Sequence, residues 1–419
     1  MNPGLFFNFL SSQAKVDRRE MLEMTGKLGM VGALTALGLL GEPGKAAAAH
    51  RGSGGGFGDT LFDFSNLGSW VPGPYGAGDQ RGSFNEVTPD KTASALRGTL
   101  NRGRAVKTYQ LGELMWNGFP AFATVPRRIY EQRLTMAGYT PPPQFAAEGG
   151  IVHPFGALGS NQLSLHEERF AAEQSPGFPP LSTTYQIATQ LDNLNHIGFR
   201  EFFYNGFRGP DIARGYGTSA LGSENMGPIV TRGLLLDVLG LKVARGDTAD
   251  IVPASNGRPV LRSNYRITLE DLYGAMEFGR IRDILPGDAV MIRTGWNQLL
   301  KRVNRQTNPA DIARWNGAGG LPGIYLAEGQ YLLTQRPALV ASDSWALEVL
   351  GSPDNIPGTA FPVHQDLIMR GGIRIGESVS LDGLAEDRVY EFVYMVTPQF
   401  AEGATCGNTA PAALGQPRH

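Results

Sequence analysis

The residues with the most chemical promise lie between Thr183 and Arg200, which read TTYQIATQLDNLNHIGFR. Gln186, Ala188, Gln190 and Asp192 share one parity, so an extended strand turns all four to the same side. Four residues past Asp192 comes His196, and the intervening Asn193 and Asn195 favour a turn. Two amide oxygens, a carboxylate and an imidazole can therefore converge at one strand end. Such a set suits a divalent cation with a base beside it. Polar strand ends that bind nothing are also common, so the spacing alone leaves both readings open.

Other candidates are few. The chain has six histidines and one cysteine, Cys406. A single thiol excludes an intramolecular disulfide and an all-cysteine zinc site. His153 precedes a proline in a Gly/Pro-rich stretch, and His166 stands in Leu-His-Glu-Glu; both read as structural or surface residues. There is no Gly-x-Ser-x-Gly elbow of a serine hydrolase. His166-Glu167-Glu168 lacks the second histidine of a zinc-protease helix, and the glycines at 52–58 do not follow dinucleotide-binding spacing.

The elements that must position these residues alternate between helix and strand. Thr88-Pro89 is a capping threonine followed by proline, which predicts a helix over 89–101. The apolar run Leu234–Leu239 fits a buried strand or a helix start, and Thr268 with Asp271 forms a capping-box pattern for a second helix. Pro286-Gly287-Asp288 predicts a turn into a strand over 289–293. Tyr325–Gln335 reads as a helix and Ala338–Ala341 as a short buried strand. The class is α/β, or mixed α+β, with one large domain around a mixed sheet.

The chain has 419 residues, 18% charged, with net charge −2. No basic surface points to nucleic acid or anionic lipid. At the N-terminus, Arg18-Arg19 precede an apolar stretch, Leu28–Leu40, and the small-residue run Ala46–Ala49. That order is signal-peptide grammar, too short and too weakly apolar to span a membrane. The paired arginines resemble a twin-arginine export signal, which implies a periplasmic protein without membrane attachment once the signal is cleaved. The expected organisation is a signal over 1–49, a linker over 50–65, one large domain over 66–402 and a flexible tail over 403–419.

The segment Gln186-Ile-Ala-Thr189-Gln190-Leu-Asp192-Asn-Leu-Asn-His196 resembles the signature His-x-Gly-Thr-His-x-Asp-x-Pro-x-His of the cyclase family of metal-dependent hydrolases, which includes bacterial kynurenine formamidase. Thr189, Asp192 and His196 match; both histidine ligands are glutamines here, glycine is Ala188 and proline is Leu194. Further matches follow in the family's order. They include Trp70–Asn85 with Thr88-Pro89, Ile229–Asp237, Ile267–Leu272, Asp288–Trp296, Pro322–Ile324, Asp343, and His364 with Glu377. The glutamines place the chain nearest the branch that includes trans-dienelactone hydrolase.

The resemblance implies a swivelling β/β/α fold and a metal-dependent hydrolase acting on an amide, lactone or ester, with a cyclic substrate favoured. By the same resemblance Gln186, Gln190, Asp192, His364 and Glu377 hold one or two divalent ions, Mn²⁺ or Zn²⁺, and His196 is the general acid/base. A glutamine carbonyl is a weaker zinc ligand than imidazole but acceptable to harder ions. Phe202, Phe203 and Tyr204 could line a pocket for a planar small-molecule substrate, with core packing as the alternative. Trp116 is a further substrate-contact candidate. A homo-oligomer, dimer or tetramer, is expected. Two rival functions remain: a lyase or true cyclase using the same groups, and a periplasmic binding protein that has lost catalysis.

Overall fold

A computed structural model describes residues 57–100, 103–121, 128, 130, 133–137, 143–147, 151–152, 164–168 and 184–418. The expected signal segment and the first part of the expected linker lie outside these residues. The chain forms two compact units where one domain was expected: Leu114–Ile187 is one, and the chain on either side of it makes the other. In the smaller unit, strand Arg133–Ala137 pairs in parallel with Ile151–Val152 and antiparallel with Ser164–Glu168.

The larger unit is built on a mixed sheet. Numbered in chain order, its strands are β1 (Lys107–Gln110), β2 (Gln190–Asp192), β3 (Ile229–Leu236), β4 (Ala289–Ile292), β5 (Leu339–Ser342), β6 (Arg374–Glu377), β7 (Glu391–Val396), β8 (Cys406–Asn408) and β9 (Ala412–Gly415). They lie in the order β1-β9-β7-β3-β4-β5-β6-β2-β8. The four central strands, β3 to β6, run parallel, and every pairing outside them is antiparallel. β4, β5 and β6 are buried along their whole length, as strands covered on both faces must be. That explains the apolar runs of β4 and β5 in place of alternation, whereas β6 buries Arg374 and Glu377 at its two ends. Gly233 on β3 is required by close approach, since a Cβ there would run into the Phe392 ring of β7.

Helix starts follow their local signals. Thr88 accepts from the Lys91 amide at 3.1 Å and caps the helix Pro89–Thr99. Thr268 and Asp271 make a reciprocal capping box at Leu269–Gly279. The apolar run near 234 is both things it resembled. β3 ends at Leu236, and Asp237 caps the helix Val238–Arg245 by accepting from Gly240 at 2.8 Å.

Two expectations are corrected. The chain after Gly403 is not a loose tail: β8 pairs with β2 across Cys406↔Asp192, and β9 fits between β1 and β7. Nor is 57–65 a free linker, because Phe57 packs on the main core and Phe62 and Phe64 join Trp70 and Met369 in a smaller apolar cluster. Burial of these large side chains ties down segments whose glycine-rich or polar composition suggested freedom. Among the described residues, no helix is long and apolar enough to cross a membrane.

Candidate metal centre

β2 carries the centre of the site. It is only three residues long, shorter than the parity argument required. Ala188 adopts φ 55, a left-handed conformation that turns the chain just before the strand. Gln186 and Ala188 therefore do not extend the face that Gln190 and Asp192 share. Gln186 falls in the smaller unit, where its side-chain oxygen accepts from the Arg128 guanidinium. Thr189 anchors the entry to β2, its hydroxyl donating to Ser378 O at 2.6 Å and accepting from the Glu113 amide at 2.7 Å.

The antiparallel register then sets Gln190 opposite Glu377 and Asp192 opposite Ile375. Asp192, flanked by β6 and β8, is fully buried. The expected turn follows it, closed by His196 N donating to Asn193 O at 3.0 Å. This brings His196 Nε2 to 3.7 Å from Asp192 Oδ2, with the imidazole still 19% exposed. His364 arrives from the other side, on a short helical turn, Pro362–His364, that runs into a π-helical segment, Gln365–Arg370. Such widened turns recur at functional sites.

Asp192, His364 and Glu377 are all buried, and one potential ligand atom from each lies within 4.8 Å of the others. His364 Nε2 is 3.8 Å from Asp192 Oδ2 and 3.6 Å from Glu377 Oε1. Its other nitrogen, Nδ1, is 2.5 Å from Glu348 Oε1. Glu348 is 1% exposed and also accepts from the amides of Val363 and His364, at 3.2 and 3.1 Å. Burial would lower the His364 pKa, but the Glu348 and Glu377 carboxylates outweigh it and raise it to about 10.

The cluster fits a divalent cation on two grounds. Three buried carboxyl groups surround one imidazole, so even a protonated His364 leaves an excess of negative charge that a cation would offset. In addition, Asp192 Oδ2 is buried without a hydrogen-bond partner, although it is the atom the two histidines face. A carboxylate holding the far nitrogen of a ligating histidine is the usual way to fix its tautomer and direction, and Glu348 does this for His364.

Gln190 differs from expectation. Its amide nitrogen, not its carbonyl oxygen, faces the acids, donating to Glu377 Oε2 at 2.7 Å and to Asp192 Oδ1 at 3.3 Å. Glu348 was missed by sequence reasoning, although Ala346-Leu-Glu-Val-Leu350 carried a usable signal: an acid inside an apolar run is buried with a partner. Of the aromatic candidates, Tyr204 is wholly buried and its hydroxyl donates to Asp79 at 2.8 Å. Phe203 packs on the main core and Phe202 on the cluster around Trp70. Trp116 belongs to the smaller unit and packs on Phe119, with ring centroids 4.6 Å apart.

A large mixed sheet carries a buried Asp/His/Glu constellation beside a second histidine, a cluster that could hold a metal ion. The Cyclase family model matches residues 130–349, more than half of the sequence. The chain belongs to the Cyclase family. A crystal structure described as a novel cyclase is 28% identical, with a TM-score of 0.62 over 84% of this chain and 99% of that one. Isatin hydrolase A from Ralstonia solanacearum is 14% identical, with a TM-score of 0.46 over 78% of this chain and 97% of that one. An isatin hydrolase bound to the product analogue thioisatinate is 16% identical, with a TM-score of 0.44 over 77% and 95%. No curated protein gives a significant match.

Proposed function

We propose that the protein is a metal-dependent hydrolase that cleaves an amide, lactone or ester bond, with cyclic substrates of the lactone or cyclic-imide type and N-formylkynurenine as the compounds to test first. The observation that carries this reading is the unpartnered Asp192 Oδ2, buried between His364 Nε2 at 3.8 Å and His196 Nε2 at 3.7 Å. Asp192, His364 and Glu377 would hold the ion, Mn²⁺ or Zn²⁺, since one imidazole and two carboxylates suit either. A divalent ion there supplies a Lewis acid toward water and the scissile carbonyl.

The protein's own groups do the rest. His196 borders the buried acid yet keeps contact with solvent, so it can take a proton from water and return it to the leaving nitrogen or oxygen. Asp192, lying between the two histidines, orients His196 and balances its charge once protonated. Glu348 keeps His364 directed at the cluster throughout. We also propose that the Arg18-Arg19 segment exports the folded protein to the periplasm and that it acts there as a homo-oligomer. The test of the main reading is hydrolysis that is lost on chelation and restored by Mn²⁺ or Zn²⁺. Metal-free protein with unchanged turnover would overturn it.

A further inference from the structure

We infer that Gln190 is a positioning residue rather than a metal ligand, and that its amide makes this a one-ion site. The inference rests on the metal-dependent reading above and assigns a task to the residue that stands where the family motif has a histidine.

The hydrogen bonds divide the site's atoms in a regular way. Gln190 Nε2 takes Asp192 Oδ1 and Glu377 Oε2, at 3.3 and 2.7 Å. The other oxygen of each acid, Asp192 Oδ2 and Glu377 Oε1, lies 3.8 and 3.6 Å from His364 Nε2. Glu348 holds the opposite nitrogen of that imidazole. Each of the three candidate ligands thus has one atom held by Gln190 or Glu348 and another close to those of its fellows.

The amide's orientation follows from its partners. Carboxylate oxygens only accept, so the nitrogen must face them; the carbonyl in its place would meet two like partial charges. Gln190 is 6% exposed, and the register Gln190↔Glu377 fixes its place on the strand pair. With its nitrogen committed to both acids, Gln190 does not offer its oxygen to the same cluster. A histidine at this position could have added an imidazole ligand for another ion. Gln190 instead sets the geometry of a single ion held by Asp192, His364 and Glu377.

The test uses the full-length protein, Gln190→Met, which keeps the bulk without the amide, and Gln190→Ala. Zn²⁺ and Mn²⁺ are titrated separately into metal-free samples by calorimetry, and the structure of the Zn²⁺-loaded wild type is determined. One ion per chain is expected for all three proteins. Both variants should bind about 10–100-fold more weakly, the usual cost of losing an outer hydrogen-bond partner of metal ligands. The Zn²⁺-to-Mn²⁺ preference should stay at its wild-type value, because the ligand set is unchanged; a fold defect would lower the bound fraction instead of the affinity. A changed preference, a second ion in wild type, or the Gln190 carbonyl oxygen bonded to the ion would each overturn the inference while leaving the metalloenzyme reading intact. Wild type that binds neither ion would overturn both.

Discussion

Glu348 offers a sharp test, because it touches the site only through His364. Its carboxylate accepts from two buried backbone amides and from His364 Nδ1. Glu348→Ala strands all three donors in a site with almost no solvent. At about 1–3 kcal/mol for each buried group left unpaired, the metal-free protein should lose at least 3 kcal/mol of stability. Glu348→Gln is the milder change, and its stability and metal affinity are measured separately. The amide keeps one oxygen for the two His364 donors but turns an NH2, which cannot accept, toward the Val363 amide, and it removes the charge that polarises the imidazole. Metal-free Glu348→Gln should lose about 1–3 kcal/mol, the cost of the one buried donor left without an acceptor, which is less than the alanine variant loses. Its metal affinity should fall about 10–100-fold, the range for outer-shell partners. That corresponds to roughly 1.4–2.7 kcal/mol. Differential scanning calorimetry with chelator gives the first quantity and Zn²⁺ titration the second. Glu348→Gln that binds Zn²⁺ as tightly as wild type would refute the reasoning that Glu348 aims His364 at an ion.

Asp192→Asn should abolish metal binding, since it removes the charge at the centre of the cluster, and His364→Ala should weaken metal retention; elemental analysis of both purified variants checks this. His196→Ala should keep its ion and lose about 10²–10⁴-fold in turnover, the range for a general acid/base. A His196→Ala protein that emerges without metal would make that residue a ligand. Replacing Arg18-Arg19 by two lysines should stop accumulation in the periplasm, measured by cell fractionation, and unchanged accumulation would refute the twin-arginine reading.

Where a structure depends on neighbours in sequence, the residues announced it. The Thr88 cap and the Thr268–Asp271 capping box are local hydrogen bonds, visible as short patterns. The turn that brings His196 back to Asp192 was legible from two asparagines, and its closing bond runs from His196 to Asn193. What depends on distant partners was not legible. The segment after Gly403 is polar and glycine-containing, yet its strands are fixed by pairing with β2, β1 and β7, up to some three hundred positions away in register. The strand around Gln186 failed on one backbone angle, at Ala188, which composition does not encode. Gln190 was located correctly beside Asp192, but which end of its amide faces the acids follows only from Glu377 across the strand pair. Motif resemblance supplied His364 and Glu377. It could not supply Glu348, whose role rests on a contact with His364 sixteen residues away.

The central claim is that an ion held by Asp192, His364 and Glu377 supports hydrolysis. The most direct measurement strips the protein with chelator, adds back Mn²⁺ or Zn²⁺, and follows a panel of lactones, cyclic imides, isatin and N-formylkynurenine by mass spectrometry. The account predicts that at least one substrate gains the elements of one water, or splits with their uptake, only when the ion is restored. A product lighter by one water would make the protein a cyclase or dehydratase, and turnover indifferent to metal would contradict the account outright.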